Sequence, residues 1–389
     1  MTSSRLPSSL ELNAMARLLQ ARRRSGAAIV DLTESNPTRV GLSYPQHLLA
    51  PLADARSVEY DPQPLGLWSA RAAVAADFRR RGIVLSADRV VLTASTSEAY
   101  ALLFKLLCDA GDQVLVPHPS YPLFEHLTRL ECVEAVPYSL EYHGQWRIDM
   151  ASVRRAVSER TRAILIVSPN NPTGSFLHRD DLAVLAEIAV EGNLPLIGDE
   201  VFADYKLDPA EAATHVLAAG DVVACSLGGL SKSAGLPQLK LGWIGFGGPS
   251  DQVDAMLAAY EMVADTYLSV STPVQTAAAD LIASGAGIRA QIMARIKRNL
   301  ESLRAQAASF PAIDVLPVEG GWSAVIQVPA VQPEETLILD LLDKDDVLVH
   351  PGYFFDFPRE AFVVVSLLVE PAAFDTAIAR VLARAAGPS

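Results

Sequence analysis

Cysteine, basic charge and long apolar runs are all scarce in this chain of 389 residues. Its three cysteines, Cys108, Cys132 and Cys225, are too few and too scattered for a disulfide framework or a CxxC metal site. Each lies in or beside an apolar stretch, where a thiol usually acts as a small buried hydrophobe. No run approaches the roughly 18 consecutive apolar residues of a membrane span. The opening MTSSRLPSSLELNAMARLL lacks the apolar core and cleavage site of a signal peptide. Cations are outnumbered, 32 Lys+Arg against 45 Asp+Glu, a formal net charge of -13. Phosphate backbones need clustered Lys and Arg, so nucleic acid is excluded as the main partner. The one basic cluster, Arg22-Arg23-Arg24, reads as a solvated helix end. What is left is a reduced, cytoplasmic enzyme.

What is plentiful is apolar side chain. Hydrophobic residues make up 50% and charged residues 20% of the chain, enough for a large core and too apolar for disorder. Between residues 90 and 270, short apolar runs alternate with helical periodicity. Candidate strands are 89–92, 113–116, 163–167, 194–197, 222–225 and 242–246. They are continuously apolar, which suits strands buried on both faces of a mainly parallel sheet. Ala99, Leu102, Leu103, Leu106 and Leu107 share one helical face, and Leu182, Leu185, Ile188 and Ala189 another. A layered α/β unit with right-handed crossovers follows. Beyond residue 275 the texture changes. A long helix carries Ile288, Ile292, Ile296, Leu300 and Leu303, and strand-like pieces follow at 322–328, 347–350 and 362–369. The expected division is a large domain, 46–275, and a smaller α+β domain built from 1–45 and 276–389.

The sharpest chemical signal is Gly228-Gly229-Leu230-Ser231-Lys232-Ser233-Ala234-Gly235-Leu236-Pro237, directly after a predicted buried strand. In open α/β sheets, ligands bind beyond strand ends. A lysine desolvated there has a lowered pKa and becomes a nucleophile able to form a Schiff base. An ordinary loop lysine would explain Lys232 taken alone. Three more strand ends shift the balance: Ser168-Pro169-Asn170-Asn171-Pro172-Thr173-Gly174, Gly198-Asp199-Glu200-Val201-Phe202, and Thr93-Ala94-Ser95-Thr96-Ser97-Glu98. The last opens a helix, whose free N–H groups and hydroxyls suit a phosphate, although Ser97 with Glu98 alone would be read as helix capping.

In this order and spacing the motifs resemble fold type I pyridoxal-phosphate enzymes, specifically the class I/II aminotransferases. The resemblance runs from Glu34-Ser35-Asn36-Pro37-Thr38 to the 362–368 strand. It implies pyridoxal 5'-phosphate as cofactor, and a large domain with a mainly parallel sheet between helices beside a smaller α+β domain. It makes Lys232 the Schiff-base lysine and proton shuttle, and Asp199 the partner of the ring nitrogen. Asn171 would bond the ring's phenolic oxygen, Ser95, Thr96 and Ser97 would hold the phosphate, and Tyr121 would stack on the ring. Tyr60 is similar to the tyrosine that reaches the neighbouring subunit's phosphate, which implies a homodimer.

Three positions depart from the family pattern. Lys240 stands where an arginine is usual, eight residues after Lys232. It keeps the charge and loses the bidentate fork. Phe202 replaces a tyrosine, with Tyr205 as either a substitute or a core aromatic. Val364, in Phe362-Val363-Val364-Val365-Ser366, stands where an arginine usually clamps the substrate carboxylate. No arginine occurs between Glu360 and Glu370, so no shift of register restores it. Either the substrate carries no free carboxylate there or another group binds it. Arg39, beside Asn36, is the first substitute, and Lys206 and His350 are weaker ones. The expected activity is transfer of an amino group from an amine or amino acid donor to a keto or aldehyde acceptor. A lyase or decarboxylase of the same fold is the alternative. A silent cofactor-binding regulator is a remote one, since Lys232 and Asp199 are both present and the pattern starts too early for a preceding helix-turn-helix domain.

Overall fold

The computed structural model describes residues 3–7, 11–208 and 213–387. The outermost residues of the expected small domain, 1–2, 8–10 and 388–389, lie outside that description. An eight-stranded sheet forms the centre. Its strands are β1 (Val90–Thr93), β2 (Gln113–His118), β3 (Glu134–Tyr142), β4 (Trp146–Ile148), β5 (Thr161–Val167), β6 (Leu196–Asp199), β7 (Ala224–Gly229) and β8 (Gly242–Gly247). The spatial order is β1-β8-β7-β6-β5-β2-β3-β4. The run from β7 to β3 is parallel, β8 is antiparallel to both β7 and β1, and β4 is antiparallel to β3.

The six apolar runs became six of these strands, because each is covered on both faces. Leu115, Ile164, Ile166 and Leu196 pack toward Leu182, Leu185, Ile188 and Ala189 of the helix Arg179–Gly192. Their sequence neighbours Val114, Val116, Ala163, Leu165, Val167 and Ile197 pack on the other face. There the cover is Ala99, Leu102 and Leu103 of the helix Thr96–Leu107 and Val253, Tyr260 and Ala264 of the helix Ser250–Tyr267. Each fully buried aliphatic chain contributes about 1.5–3 kcal/mol. β3 was not expected. It lies next to the short edge strand β4 and is only partly covered, so it carries Glu134, Pro137 and Glu141 and no apolar run.

The long helix Ala278–Ala307 buries Ile288, Ile292, Ile296, Leu300 and Leu303 in one cluster with Val363 and Val365. A four-stranded antiparallel sheet lies there: β9 (Asp314–Val315), β10 (Ser323–Gln327), β11 (His350–Pro351) and β12 (Phe362–Ser366), in the order β9-β10-β12-β11. The N-terminal segment joins it. Val30–Asp31 runs parallel to Val347–Leu348, and the Ser366 N–H donates to the Leu32 carbonyl at 2.6 Å. Residues 33–35 are thereby held beside β12. No helix among the described residues is long and apolar enough to cross a membrane, and the three cysteines are unpaired.

Candidate active site

One cavity, of about 360 Å³, lies where the ends of β5, β6 and β7 meet β12 and the N-terminal segment. It is lined by Lys232, Asp199, Asn171, Tyr121 and Thr96 of the predicted set, and by Val364, Phe202 and His350 of the departures.

Asp199 ends β6, in register with Val167 and Leu227. The Tyr100 hydroxyl donates to its Oδ2 at 2.9 Å, and the Val201 N–H to its Oδ1 at 3.3 Å. Burial pushes the Asp199 carboxyl above its ordinary pKa, while those two donors and Lys232 oppose the rise. Thr96 and Tyr100 lie four residues apart, hence on one helix face, and both reach the cavity.

Lys232 sits in the short helix Leu230–Ser233, immediately after β7. Its backbone is pinned from below. The buried Tyr205 donates its hydroxyl to the Lys232 carbonyl at 2.6 Å. The Ser233 hydroxyl donates to the Gly229 carbonyl at 2.9 Å, and Arg289 donates to the Ser233 carbonyl at 2.9 Å. Tyr205 is therefore a positioning group and does not replace the hydroxyl absent from Phe202. The Lys232 Nζ stands 4.8 Å from the Trp322 ring centre and 5.3 Å from that of Phe202. Burial among these rings pushes its ammonium down to about 8, with Asp199 and then Glu34 pulling the other way. The amine is poised as a nucleophile near neutral pH.

Asn171 is fixed from the opposite side. The Ser323 hydroxyl donates to its Oδ1 at 3.1 Å. Gly174 closes the same loop at φ +72°, and an added Cβ there would lie 2.7 Å from the Gly320 carbonyl oxygen. That close approach brings Gly320 to Ser323 against the loop.

Other expected residues stay off the cavity wall. Ser95 is the helix N-cap: its Oγ accepts from the Glu98 N–H at 3.1 Å, and Glu98 accepts from the Ala94 N–H. That reciprocal cap occupies two of the donors expected to serve a phosphate. Ser97 is partly buried in the next position, and Lys240 is exposed at φ 52°. Tyr60 is 68% exposed. Arg39, the first candidate for the substrate carboxylate, stands apart from the cavity. The turn Pro37–Arg39, capped by Asn36 Oδ1 on the Thr38 N–H, leaves Arg39 exposed and outside the cavity lining. Asn36 is spent on that cap, and Thr33 and Ser35 face the cavity instead. Lys206 borders a separate pocket with Arg80, Arg81 and His215. Tyr100, Trp322, Ser323 and the Phe354-Phe355 pair were not anticipated. The spacing of Tyr100 from Thr96 was the one available signal.

The family model described as aminotransferase class I and II matches residues 37–381. The chain belongs to the class I and II aminotransferases. The glutamate-pyruvate aminotransferase AlaA of Escherichia coli is 26% identical over 351 residues, 88% of this chain and 87% of that protein. The alanine aminotransferase of Mycobacterium tuberculosis is 27% identical over 347 residues, 86% and 80% of the two chains. Among solved structures, the alanine aminotransferase from Pyrococcus furiosus superimposes with a TM-score of 0.88 at 24% identity, covering 98% and 99%. The fold is thus fold type I, and the protein is a pyridoxal-phosphate-dependent aminotransferase. The cavity suits that cofactor: it brings together a carboxylate, a desolvated lysine, and the side chains of Val201 and Tyr121.

Proposed function

We propose that Lys232 anchors the cofactor and carries the proton at the substrate's reacting carbon, moving an amino group from an amine donor to a carbonyl acceptor. The observation that carries this reading is the lysine amine, lowered to about 8, sharing one cavity with the Asp199 carboxylate. Asp199 would hold positive charge at the ring nitrogen, with Tyr100 orienting the carboxylate for it. When bound, pyridoxal phosphate supplies the electron sink that stabilises charge at the substrate carbon. Asn171 would donate to the ring oxygen, Tyr121 would cover a ring face, and Thr96 with the neighbouring Ser95, Ser97 and Lys240 would hold the phosphate end. The rings of Phe202 and Trp322 keep water from the amine, so that it accepts and returns the proton as general base and acid.

Residues 46–275 act as one unit, and residues 1–45 with 276–389 as the other. The pairing of Val30–Asp31 with Val347–Leu348 supports this. The enzyme works as a homodimer, with Tyr60 reaching the partner's site. Its exposure together with Val58, Trp68, Met262 and Leu268 supports such an interface. The cytoplasm suits its free cysteines. The test is single turnover with an amine donor and no acceptor. Stoichiometric pyridoxamine phosphate is expected. Release of carbon dioxide or an eliminated group without it would favour a lyase or decarboxylase.

A further inference from the structure

The cavity lining holds one cation, Lys232. At the place of the expected arginine stands Val364, whose partner across the antiparallel ladder is His350. Paired residues project to the same face with Cβ atoms about 5 Å apart, and both side chains line the cavity. The His350 imidazole stacks on Phe354 at 5.2 Å and 9°, and meets Phe355 edge-on at 5.5 Å. Its Nδ1 is buried with no hydrogen-bond partner. Nearly all buried polar atoms have a partner, so the ring is short of one hydrogen bond, while His350 itself lines the cavity. Burial also pushes the imidazole down to about 4, against a smaller opposing pull from Asp31. At neutral pH the ring is uncharged and offers one donor and one acceptor.

A carboxylate at this wall would meet valine, aromatic faces, a neutral ring and the neutral hydroxyl residues Thr33, Ser35 and Ser366, with Asp199 in the same cavity and the single ammonium engaged in chemistry. Buried anions without a partner are strongly disfavoured. Building on the assignment of Lys232 above, we propose that His350 and Val364 together read the substituent on the substrate's reacting carbon. That substituent is a neutral hydrogen-bonding group, a carboxamide or an alcohol, and not a free carboxylate. The remaining wall, Phe124, Phe202, Trp322, Phe354 and Phe355, fits an apolar or aromatic body.

The test uses the holoenzyme and two inert mimics that lack the amine, hydrocinnamamide and hydrocinnamate, with binding read by calorimetry. The amide should bind at least about tenfold tighter, the worth of one well-made hydrogen bond and an avoided unpaired charge. Val364→Arg should reverse the order. His350→Phe should erase the preference, and His350→Gln, which keeps a neutral donor and acceptor, should retain it. Equal or tighter binding of hydrocinnamate by the wild type, or binding of neither mimic, overturns the proposal. So does an unchanged preference in His350→Phe. Turnover of phenylalaninamide, phenylalaninol and phenylalanine separates the two layers. If phenylalanine alone forms pyridoxamine phosphate, this inference fails and the assignment of Lys232 stands. If no donor does, that assignment fails, and the binding preference still decides the question of the substituent.

Discussion

The hydroxyl of Tyr100 donates to Oδ2 of Asp199 at 2.9 Å, from the helix that also presents Thr96 to the cavity. One helix therefore positions both the carboxylate and a hydroxyl at the proposed phosphate end. Tyr100→Phe removes the stronger of the two donors that oppose burial, so the Asp199 carboxyl rises further toward its neutral form. A less anionic Asp199 holds a ring nitrogen less firmly. Affinity for pyridoxal phosphate should fall about tenfold, as expected for one charge-assisted hydrogen bond. Quenching of the protein's tryptophan fluorescence on titration checks this. Wild-type affinity in the variant would remove Tyr100 from the account.

Lys232 makes two predictions of opposite flavour. Its neutral amine is the reactive form, so the rate at which cofactor-free protein captures pyridoxal phosphate should rise with pH through about 8. Stopped-flow absorbance reads it, and a midpoint near the ordinary lysine value of 10.5 would contradict the desolvated site. For stability the sign follows from the lowered folded-state pKa. Below about 8 the amine is charged in both states, so folding bears the full cost of burying it. Above 10.5 it is neutral in both states and that cost is gone. Lys232→Ala should therefore abolish activity, yet stabilise the cofactor-free protein at pH 7 by roughly 1–3 kcal/mol, after allowance for solvent screening and lost packing. Chemical denaturation checks it. A less stable variant would mean that the stem's contacts with Trp322 and Phe202 outweigh the buried charge.

The parts legible in the sequence were those that local pattern dictates. Strands buried on both faces announce themselves as apolar runs, and Ala163 to Val167 left little choice. Strand-end polar residues such as Asp199 and Asn171 stood out because the residues before them are apolar. β3 was hidden because a strand flanked on its outer side only by the three-residue edge strand β4 needs no apolar run, and its register depends on β2, not on its own composition. Trp322 and Ser323 were hidden for a longer-range reason, and His350 was legible only as a weak candidate. All three enter the cavity through the approach of Gly174 to Gly320 and the pairing of His350 with Val364, contacts between segments more than a hundred residues apart in one case. Arg39 lies outside the cavity lining because the three-residue turn at Pro37 decides which way the chain faces, and the sequence pattern says nothing of that direction.

Tyr60, exposed in the single chain, supplies a test of the dimer. If it serves the partner's site, Tyr60→Phe and Lys232→Ala homodimers are each damaged at every site. A mixed dimer carries both lesions in one site and none in the other. Mixing the unfolded variants and refolding them together should restore activity above that of either parent. Light scattering should report a dimer in all three preparations. Absence of any rescue, with dimers present, would place Tyr60 in its own subunit's site or in none.

Glu334 governs the loop that carries the aromatic wall. It is 2% exposed, and its carboxylate accepts from three backbone N–H groups: Tyr353 at 3.0 Å, Ala361 at 2.9 Å and Phe362 at 3.0 Å. Tyr353 and Ala361 bracket Phe354 and Phe355, and Phe362 begins β12, so one side chain ties the loop at both ends. Removing it leaves three donors unpaired, one buried and two part-buried, and each orphan costs about 1–3 kcal/mol less whatever the relaxed loop and water recover. Glu334→Ala should lower stability by roughly 3–5 kcal/mol. Glu334→Gln keeps one acceptor oxygen and turns an NH₂ toward a backbone donor, so its loss should be smaller but measurable. Urea denaturation gives both values. Because the loop bears Phe354 and the stack on His350, the Ala variant should also lose substrate affinity more than turnover. A variant within about 0.5 kcal/mol of wild type would show that the loop is held by the packing of Phe355 and Phe357 alone.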